Sequence, residues 1–377
     1  MRQGLSKVII SGGGTGGHIH PALAIADEIK RRHPDVSIRF VGALGRMEMD
    51  KVPKAGYEID GLWISGVDRK LTSTRNLLFP FKLISSLWKA RRILKRHKPQ
   101  VVIGVGGFAS GPLLDRAARM GIPTLIQEQN SFPGITNRLL AQRVDSICAG
   151  LPGMERWFPK DKLVETGNPL RESVCALANQ GQDPAEAKAH WGIEPDVPIA
   201  FVMGGSLGAQ SMNRAVQHLL TTQPTFKERG YHLLWQCGAR YHADMTAWLE
   251  AHDFEAVTCL GFIDRMDLAY RASDVIASRA GAMSIAELAL VGKPTILVPS
   301  PHVAEDHQTH NARSLSERGG AVLMPDTDVV ANLGFKLDEL FKDETARKDM
   351  AANMKGAARP EAAQAVVDQV ELLIAGS

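Results

Sequence analysis

The sequence has no apolar stretch as long as the roughly 20 residues that a membrane-spanning helix needs. Its first residues, MRQGLSKVIISGGG, lack the basic start, apolar middle and small-residue cleavage site of a signal peptide. Cysteine is scarce too: the four cysteines among 377 residues form no CxxC pair, which argues against a disulfide framework and a zinc site. We therefore expect a cytoplasmic protein without a transmembrane helix.

Acidic residues are absent between Arg69 and Leu114, although the whole chain has 44 basic and 41 acidic residues. Ten basic residues fall in this interval: Arg69, Lys70, Arg75, Lys82, Lys89, Arg91, Arg92, Lys95, Arg96 and Lys98. One zone of the surface is therefore predicted to be basic, which favours an anionic partner.

Short apolar runs alternate with helical patterns along the chain. KVIIS, VVIGV and TLIQ precede helical patterns at about 21–32, 111–120 and 135–140, and the alternation restarts with IAFVM, HLLWQ, DVIAS and TILVP. Such alternation is typical of βαβ units with parallel sheets, and 377 residues exceed the size of a single core. The sequence predicts two α/β domains, with a boundary in the polar, proline-containing stretch 172–198.

Three glycine-rich loops each follow a predicted strand and open a helix. They lie in VIISGGGTGGHIHP, VVIGVGGFASGP and AFVMGGSLGAQS. Loops of this kind bring backbone N–H groups and a helix N-terminus close to an anion. Because they occur in both predicted domains at the carboxyl ends of strands, they indicate a phosphate-bearing ligand.

Two common classes of phosphate ligand fit the sequence poorly: dinucleotides, and the ATP or GTP of P-loop proteins. Gly12, Gly14 and Gly17 satisfy GxGxxG, but the second strand ends at Ala43, where a dinucleotide-binding domain would carry a ribose-binding acid. His18 and Ile19 stand where a P-loop needs Lys followed by Ser or Thr. An NAD-dependent oxidoreductase and a non-catalytic nucleotide-sugar binding protein remain alternatives to a nucleotide-sugar enzyme.

The second half offers a ribose-binding acid in SRAGAMSIAELALVGKP. A small-residue turn at 280–282 precedes a helix that carries Glu287 in its opening turns. A carboxylate there accepts hydrogen bonds from vicinal ribose hydroxyls, while the helix N-terminus faces a diphosphate. The alternative is that Glu287 is an ordinary acid near a helix N-terminus.

Eight motifs together resemble the MurG family of N-acetylglucosaminyltransferases of peptidoglycan synthesis. In order, they are GGGTGGHIHP, GGFASGP, QEQN (127–130), TGNPLR (166–171), GGSLGAQSMN, GFIDRM, RAGAMSIAE and EDHQTHNA. The resemblance runs from about Lys7 to the last predicted helix. His307 and Ala280 depart from the family's pattern, which often has Gln and Ser there.

The resemblance implies the GT-B fold, with two Rossmann-like parallel-sheet domains facing across a cleft. The expected boundaries are residues 1–170 for an acceptor- and membrane-associated domain and 171–357 for a UDP-GlcNAc-binding domain. Residues 358–377 are expected to form a helix that packs back on the first domain.

The resemblance also implies which residues bind the donor substrate. Ile263 is expected to read uracil through its backbone, Glu287 to hold the ribose, and Gln308 to contact sugar hydroxyls. The remaining expected contacts with the sugar or the diphosphate are Thr15, Gly16, Gly17, Asn130, Arg171, Ser206, Ala282, Met283, Ser284, Ile285 and Ala286.

The implied reaction is an inverting transfer of GlcNAc from UDP-GlcNAc to the muramyl 4-hydroxyl of lipid I, giving lipid II. Helix N-termini and backbone N–H groups would stabilise the departing diphosphate, so no metal and no other cofactor is expected. His18, a histidine in the first glycine loop, is the expected general base, and Glu128 is the alternative base or an orienter of the acceptor.

The basic segment LLFPFKLISSLWKARRILKRHK is predicted to dock on the membrane that holds lipid I. Basic and apolar residues recur in it at helical spacing. The expected docking residues are Phe79, Phe81, Lys82, Trp88, Lys89, Arg92 and Arg96. The alternative is an amphipathic helix whose apolar stripe packs on the sheet. The expected partners are thus UDP-GlcNAc, lipid I and an anionic membrane surface at the cytoplasmic face, with no nucleic acid.

Overall fold

The computed structural model describes residues 4–66, 77–179, 184–205, 207–223 and 228–376. The chain divides into two compact units, here called unit 1 (Met1–Glu172 with Arg359–Ser377) and unit 2 (Ser173–Ala358). Each unit is built on one parallel sheet with helices between the strands. The predicted α/β class with two parallel-sheet domains is confirmed.

Among the described residues, the sheet of unit 1 has seven strands in the order β3-β2-β1-β4-β5-β6-β7. The strands are β1 (Lys7–Gly12), β2 (Ser37–Ala43), β3 (Glu58–Leu62), β4 (Val101–Gly106), β5 (Thr124–Glu128), β6 (Ser146–Ala149) and β7 (Leu163–Glu165). The helices are α1 (Gly16–Arg32), α2 (Glu48–Lys54), α3 (Phe79–His97), α4 (Ser110–Arg119) and α5 (Ile135–Leu140), with 3-10 turns at Met154–Arg156 and Lys160–Lys162.

The central strands of this sheet are buried on both faces. Every residue of β4 is buried, for example, and successive side chains enter opposite core layers. Ile9 and Val102 belong to the layer under α3 and α4, whereas Ile10 and Ile103 belong to the layer under α1. Double burial explains why these strands read as continuous apolar runs in the sequence.

Helix α1 begins five residues earlier than predicted. Its first residue is Gly16 and its N-cap is Thr15, so Pro21 lies inside the helix. Pro21 lacks the N–H that would bond to the Gly17 carbonyl, and the helix continues to Arg32 without that bond. The consequence for function is that His18 lies in the first helical turn.

Unit 2 repeats this architecture with six strands among the described residues, in the order β10-β9-β8-β11-β12-β13. The strands are β8 (Ile199–Met203), β9 (His232–Gln236), β10 (Val257–Leu260), β11 (Val275–Arg279), β12 (Thr295–Val298) and β13 (Val322–Leu323). The helices are α6 (Glu172–Asn179), α7 (Pro184–His190), α8 (Gln210–Thr222), α9 (His242–His252), α10 (Met266–Ala272), α11 (Ala282–Val291), α12 (His307–Ser316), α13 (Val329–Lys342) and α14 (Glu344–Gly356), with a 3-10 turn at Ala304–Asp306.

The last helix, α15 (Ala362–Ala375), packs within unit 1 against α1. Val366 and Val370 are fully buried in the same core layer as Ile25. At the end of α1, the Arg32 guanidinium lies 2.6 Å from a carboxylate oxygen of Asp368. Apolar burial and this ion pair together fix α15 on unit 1.

Both sheets reverse their strand order at one point. In unit 1 the reversal lies between β1 and β4, and in unit 2 it lies between β8 and β11. Ligands of open parallel sheets bind at the carboxyl ends of the strands beside such a point. The glycine-rich loops that follow β1, β4 and β8 all lie at these positions.

Candidate active site

A buried carboxylate holds the loop between β1 and α1. Glu48 is 1% exposed, and its Oε2 accepts a hydrogen bond from the Gly14 N–H (2.8 Å) while its Oε1 accepts one from the Ala43 N–H (3.0 Å). Its side chain also fills the space over Gly13 and Gly42, since a Cβ on either would lie 2.3 or 2.6 Å from it. Glu48 therefore fastens the first glycine loop to the end of β2.

β2 ends at Ala43 without an acid, as predicted, but Glu48 of the next helix brings a carboxylate to that end. The carboxylate comes from the following helix, and each of its oxygens accepts a backbone N–H. A ribose-binding acid must instead turn its oxygens towards the ligand, so this arrangement disagrees with a dinucleotide site. The sequence feature that could have revealed this contact is a glutamate in the first turn of α2 together with Gly13 and Gly42, the two glycines that its side chain covers.

The imidazole of His18 is half-buried and has a fixed orientation. Its Nδ1 lies 2.9 Å from the carbonyl oxygen of Gly13 and 3.4 Å from Oγ1 of Thr15. Because a carbonyl oxygen only accepts hydrogen bonds, Nδ1 carries the proton and Nε2 keeps its lone pair in the neutral ring. The ring also lies against Gly106, where a Cβ would be 2.6 Å from Cδ2 of His18. His18 is thus set up to accept a proton at Nε2.

His20 lies inside α1, one residue before Pro21, where the sequence pattern places the start of the helix. Burial, followed by the positive charges of Arg171 and Lys51, lowers its pKa. Among the described residues, its buried Nδ1 has no hydrogen-bond partner. The lowered pKa favours the neutral imidazole.

Glu128 ends β5 and is 2% exposed. Its Oε1 accepts hydrogen bonds from the backbone N–H and the side-chain amide of Asn130, at 3.0 and 3.3 Å. Its Oε2 accepts from the Gly134 N–H at 3.1 Å and from the Asn137 side chain at 2.7 Å. With four donors on two oxygens, the carboxylate is suited to shape the loop that carries Asn130, and less suited to remove a proton from a substrate.

Two motifs that are distant in the sequence meet beside this loop. The side-chain oxygen of Asn168 accepts from Gln127 (3.1 Å), and its amide donates to the Gln129 carbonyl (3.0 Å). Gln129 donates in turn to the carbonyl of Val105 at the end of β4. The QEQN and TGNPLR motifs are therefore joined to the central strands.

The loop after β8 in unit 2 also needs its glycines. Gly208 has a φ of +71°, and a Cβ there would lie 2.1 Å from the Cys237 carbonyl oxygen. Asn213 in α8 donates to the same carbonyl at 3.0 Å and accepts from the Trp235 indole at 3.1 Å. These contacts press the start of α8 against β9. The predicted ligand Ser206 lies outside the described residues.

Glu287 lies in the second turn of α11 and is partly exposed. Its Oε2 accepts a hydrogen bond of 3.0 Å from the Tyr270 hydroxyl. The N-cap of α11 is Gly281, which offers no side chain to the first amides, and the first turn of the helix has no acidic residue. No side chain caps the first amides of this helix, and a carboxylate lies one turn further on.

The other predicted donor ligands of unit 2 differ in exposure. Ala282 and Ile285 are buried, while Met283, Ser284 and Ala286 are partly exposed. Ile263 is buried, with 2% of its surface exposed. Gln308 is also partly exposed, and its Oε1 accepts from the Ser300 N–H at 2.8 Å, which directs its amide group.

Family models match both units of the chain. The N-terminal domain of glycosyltransferase family 28 matches residues 8–149, and the C-terminal domain of that family matches residues 199–366. A UDP-N-acetylglucosamine--N-acetylmuramyl-(pentapeptide) pyrophosphoryl-undecaprenol N-acetylglucosamine transferase of Christiangramia forsetii is 49% identical over 99% of both chains. The transferase of the same name from Cytophaga hutchinsonii is 49% identical over 97% of this chain and 96% of its own.

A solved structure agrees with the sequence relatives. The crystal structure of Acinetobacter baumannii MurG superposes with a TM-score of 0.76 at 27% identity, covering 97% of this chain and 99% of its own. The chain belongs to the MurG family. The resemblance recognised in eight motifs is therefore confirmed over nearly the full length.

Asp326 and Asp328 of this MurG family member have the Asp-x-Asp spacing of many metal-dependent glycosyltransferases, although no metal is expected from the sequence. Asp326 accepts from the Arg279 guanidinium at 2.6 Å and from the Ser211 hydroxyl at 2.7 Å. Asp328 accepts from the Thr327 hydroxyl at 2.8 Å. Asp326 therefore serves to tie the ends of β11 and β13 to α8. Across the described residues, no three His, Cys, Asp or Glu side chains are grouped to hold a metal ion.

Helix α3 of this MurG family member presents an apolar and basic outer face. Phe81, Ile84 and Trp88 are exposed by 66%, 67% and 62%, and the Arg92 guanidinium lies 4.5 Å from the centre of the Trp88 ring. Lys89 is exposed as well. No helix in the described ranges is long and apolar enough to cross a bilayer.

Three residues expected on this docking face have other contacts. Phe79 is half-buried and packs on the core of unit 1, which corrects the expectation that it faces lipid. Lys82 donates to the Ser65 hydroxyl at 2.9 Å, and Arg96 is exposed but pairs with Asp60 at 3.1 Å. The apolar side chains of α3 are thus divided between two surroundings: Phe79 packs on the core of unit 1, whereas Phe81, Ile84 and Trp88 face outwards.

Proposed function

We propose that this chain transfers GlcNAc from UDP-GlcNAc to the muramyl 4-hydroxyl of lipid I, forming lipid II and UDP. The observation that carries the proposal is 49% identity over 99% of both chains with a transferase whose name states this donor sugar and acceptor. The relatives give no support to the alternatives of an NAD-dependent oxidoreductase or a non-catalytic binding protein.

Unit 2 is proposed to bind the donor nucleotide. Glu287 accepts hydrogen bonds from the ribose hydroxyls, and the backbone of Ile263 reads the uracil edge. The N-terminal amides of α11, at Ala282 to Ala286, face the diphosphate, whose negative charge they stabilise. Gln308 contacts sugar hydroxyls through its amide group, whose orientation is set by the bond from Ser300. Ser206 is proposed as a further contact of the diphosphate.

Unit 1 is proposed to supply the base and to hold the acceptor. The acceptor 4-oxygen forms a bond to the anomeric carbon as the bond from that carbon to the diphosphate oxygen breaks. The bonding electrons leave with UDP, and the hydroxyl proton passes to Nε2 of His18. Thr15, Gly16, Gly17 and Asn130 line the reacting sugar, and Arg171 contributes positive charge near the diphosphate. Glu128 orients the acceptor side of the site through Asn130.

The chain is further proposed to work at the cytoplasmic face of the membrane, bound there peripherally. The support is the outer face of α3, where Phe81, Ile84 and Trp88 are exposed beside Lys89 and Arg92. Apolar side chains enter the interface between headgroups and acyl chains while basic ones attract anionic lipids. A polyprenyl-linked acceptor cannot leave the bilayer, so the enzyme must come to it.

The direct test is a UDP-release assay with the purified protein, UDP-GlcNAc and lipid I in detergent micelles. Release of UDP that requires both substrates is expected, and UDP-glucose should be a poor donor. Equal release without lipid I, or no release with both substrates, would contradict the proposed function. Binding of NAD in place of UDP-GlcNAc would favour the oxidoreductase.

A further inference from the structure

A buried tyrosine lies beside the proposed ribose ligand in unit 2. Tyr270, on α10, is 1% exposed, and its hydroxyl lies 3.0 Å from Oε2 of Glu287 on α11. Its ring packs edge-on against Phe201 of β8, with the ring centres 6.0 Å apart. The hydroxyl also lies 4.0 Å from the Met203 sulfur. The ring is therefore held by the core, and its hydroxyl reaches the edge of the site.

The Tyr270 hydroxyl is the donor of this hydrogen bond. An ionised carboxylate only accepts, so the tyrosine hydroxyl donates. Burial, and after it the charge and the hydrogen bond of Glu287, raises the pKa of Tyr270 well above its usual value. The tyrosine is therefore protonated, and able to donate, throughout the physiological pH range.

We propose that Tyr270 is a positioning residue for donor recognition, which fixes the Glu287 carboxylate in the orientation that accepts the ribose hydroxyls. The inference rests on the proposed function, in which Glu287 is the ribose ligand. It adds a residue that touches no substrate and acts through Glu287 alone.

A positioning residue is needed because a glutamate side chain is flexible. A partly exposed glutamate on a helix samples several rotamers, and holding it in one of them costs conformational entropy whenever a ligand binds. The bond from Tyr270 selects an orientation before the donor arrives. A carboxylate has about four acceptor positions, so a bond from Tyr270 is compatible with further bonds from two hydroxyls.

The test compares UDP with 2′-deoxy-UDP and 3′-deoxy-UDP in the parent protein and in Tyr270→Phe, by calorimetry. Phe keeps the buried ring and removes only the hydroxyl. Tyr270→Phe should weaken UDP binding about threefold to tenfold. The difference in affinity between UDP and each deoxy analogue should also be smaller in Tyr270→Phe than in the parent. For turnover, KM for UDP-GlcNAc should rise while kcat stays near the parent value. Unchanged UDP affinity together with an unchanged deoxy-UDP penalty would overturn the proposal.

Tyr57→Phe is the matched control. The Tyr57 hydroxyl donates to a carboxylate oxygen of Asp27 at 2.6 Å in unit 1, so its removal deletes the same kind of bond away from the donor residues of unit 2. This variant should bind UDP and both deoxy analogues as the parent does. A UDP loss in Tyr57→Phe equal to that in Tyr270→Phe would mean a general loss of stability and would overturn the specific role of Tyr270.

Glu287→Gln separates this inference from the function on which it rests. If Glu287→Gln binds UDP as tightly as the parent, the ribose role of Glu287 fails and the inference falls with it. If Glu287→Gln weakens UDP and Tyr270→Phe does not, only the positioning role is wrong. In the double variant, the UDP affinity should equal that of Glu287→Gln. A further loss equal to that of Tyr270→Phe alone would show that Tyr270 acts independently of Glu287, against the proposal.

Discussion

Nδ1 of His18 hydrogen-bonds to the carbonyl oxygen of Gly13, five residues earlier in the chain, at 2.9 Å. This bond connects the proposed general base to the glycine loop that Glu48 fastens to β2. It also leaves Nε2 as the proton acceptor of the neutral ring. The orientation of the base is therefore set by the backbone of the loop, so residues that shape the loop should affect catalysis.

Replacing His18 with alanine should lower kcat by about 10²- to 10⁴-fold, because the variant has no group in place to accept the hydroxyl proton. UDP-GlcNAc binding should change little, since Glu287 and α11 are proposed to supply the nucleotide contacts. Steady-state kinetics and calorimetry measure the two effects separately. A variant that binds donor normally and keeps near-parent kcat would transfer the role of base to another group.

Gly106→Ala should also lower kcat, by displacing the imidazole. A Cβ at this position would lie 2.6 Å from Cδ2 of His18, so the ring must move. Gly121→Ala is the control, because Gly121 also has a positive φ (+71°) but nothing lies within 4 Å of its added Cβ. We expect both variants to lose stability and only Gly106→Ala to lose kcat beyond about tenfold. Equal kcat values for the two variants would contradict the placement of His18.

The sheets could be predicted from the sequence because buried parallel strands are continuous apolar runs. β4, with all six residues buried, is the clearest case. The start of α1 was harder to predict. Proline is favoured at the first helical position and glycine is a poor helix former, so local preferences place the start at Pro21 rather than at Gly16.

The partners of the site residues could not be predicted, because they depend on contacts between distant segments. Glu48 meets Gly14 across 34 positions of sequence, and Asn168 meets Gln127 across 41. Likewise, no local pattern shows that the Tyr270 hydroxyl reaches Glu287. Sequence motifs identify the residues proposed to contact substrate. The residues that orient them through hydrogen bonds are revealed only by the fold.

His20 should make the protein sensitive to mild acid. The pKa of His20 is lowered in the folded state. The contribution of the neutral side chain to the free energy of unfolding is therefore fully present above the pKa of an unfolded histidine, about 6.5. That contribution is lost as the pH falls from there through the folded-state pKa, since the unfolded chain takes up the proton first. Urea unfolding from pH 7.5 to 5 should therefore show a smaller loss of stability for His20→Phe than for the parent. An identical pH dependence in both proteins would contradict the burial of a neutral His20.

Binding to anionic vesicles should fall steeply as salt rises, and Phe81→Ser with Lys89→Glu should weaken it. Reversing one charge near the surface removes about 2 kcal/mol, roughly 30-fold in affinity, and the lost ring removes more. Phe335→Ser with Lys336→Glu is the control, since Phe335 is 64% exposed on α13 in unit 2. Sedimentation with vesicles of phosphatidylglycerol and phosphatidylcholine measures both. Equal vesicle binding by the parent and the Phe81/Lys89 double variant would place the docking surface elsewhere. UDP binding should be unchanged in both double variants.

The product of the reaction tests the central claim most directly. Purified protein is incubated with UDP-GlcNAc and lipid I, and the lipid product is analysed by mass spectrometry and by NMR of its new anomeric centre. We predict a gain of one N-acetylhexosamine, attached to the 4-oxygen of the muramyl sugar with a configuration opposite to that in the donor. An unmodified lipid, or a product in which the donor's anomeric configuration is retained, would contradict transfer by a single displacement at this site.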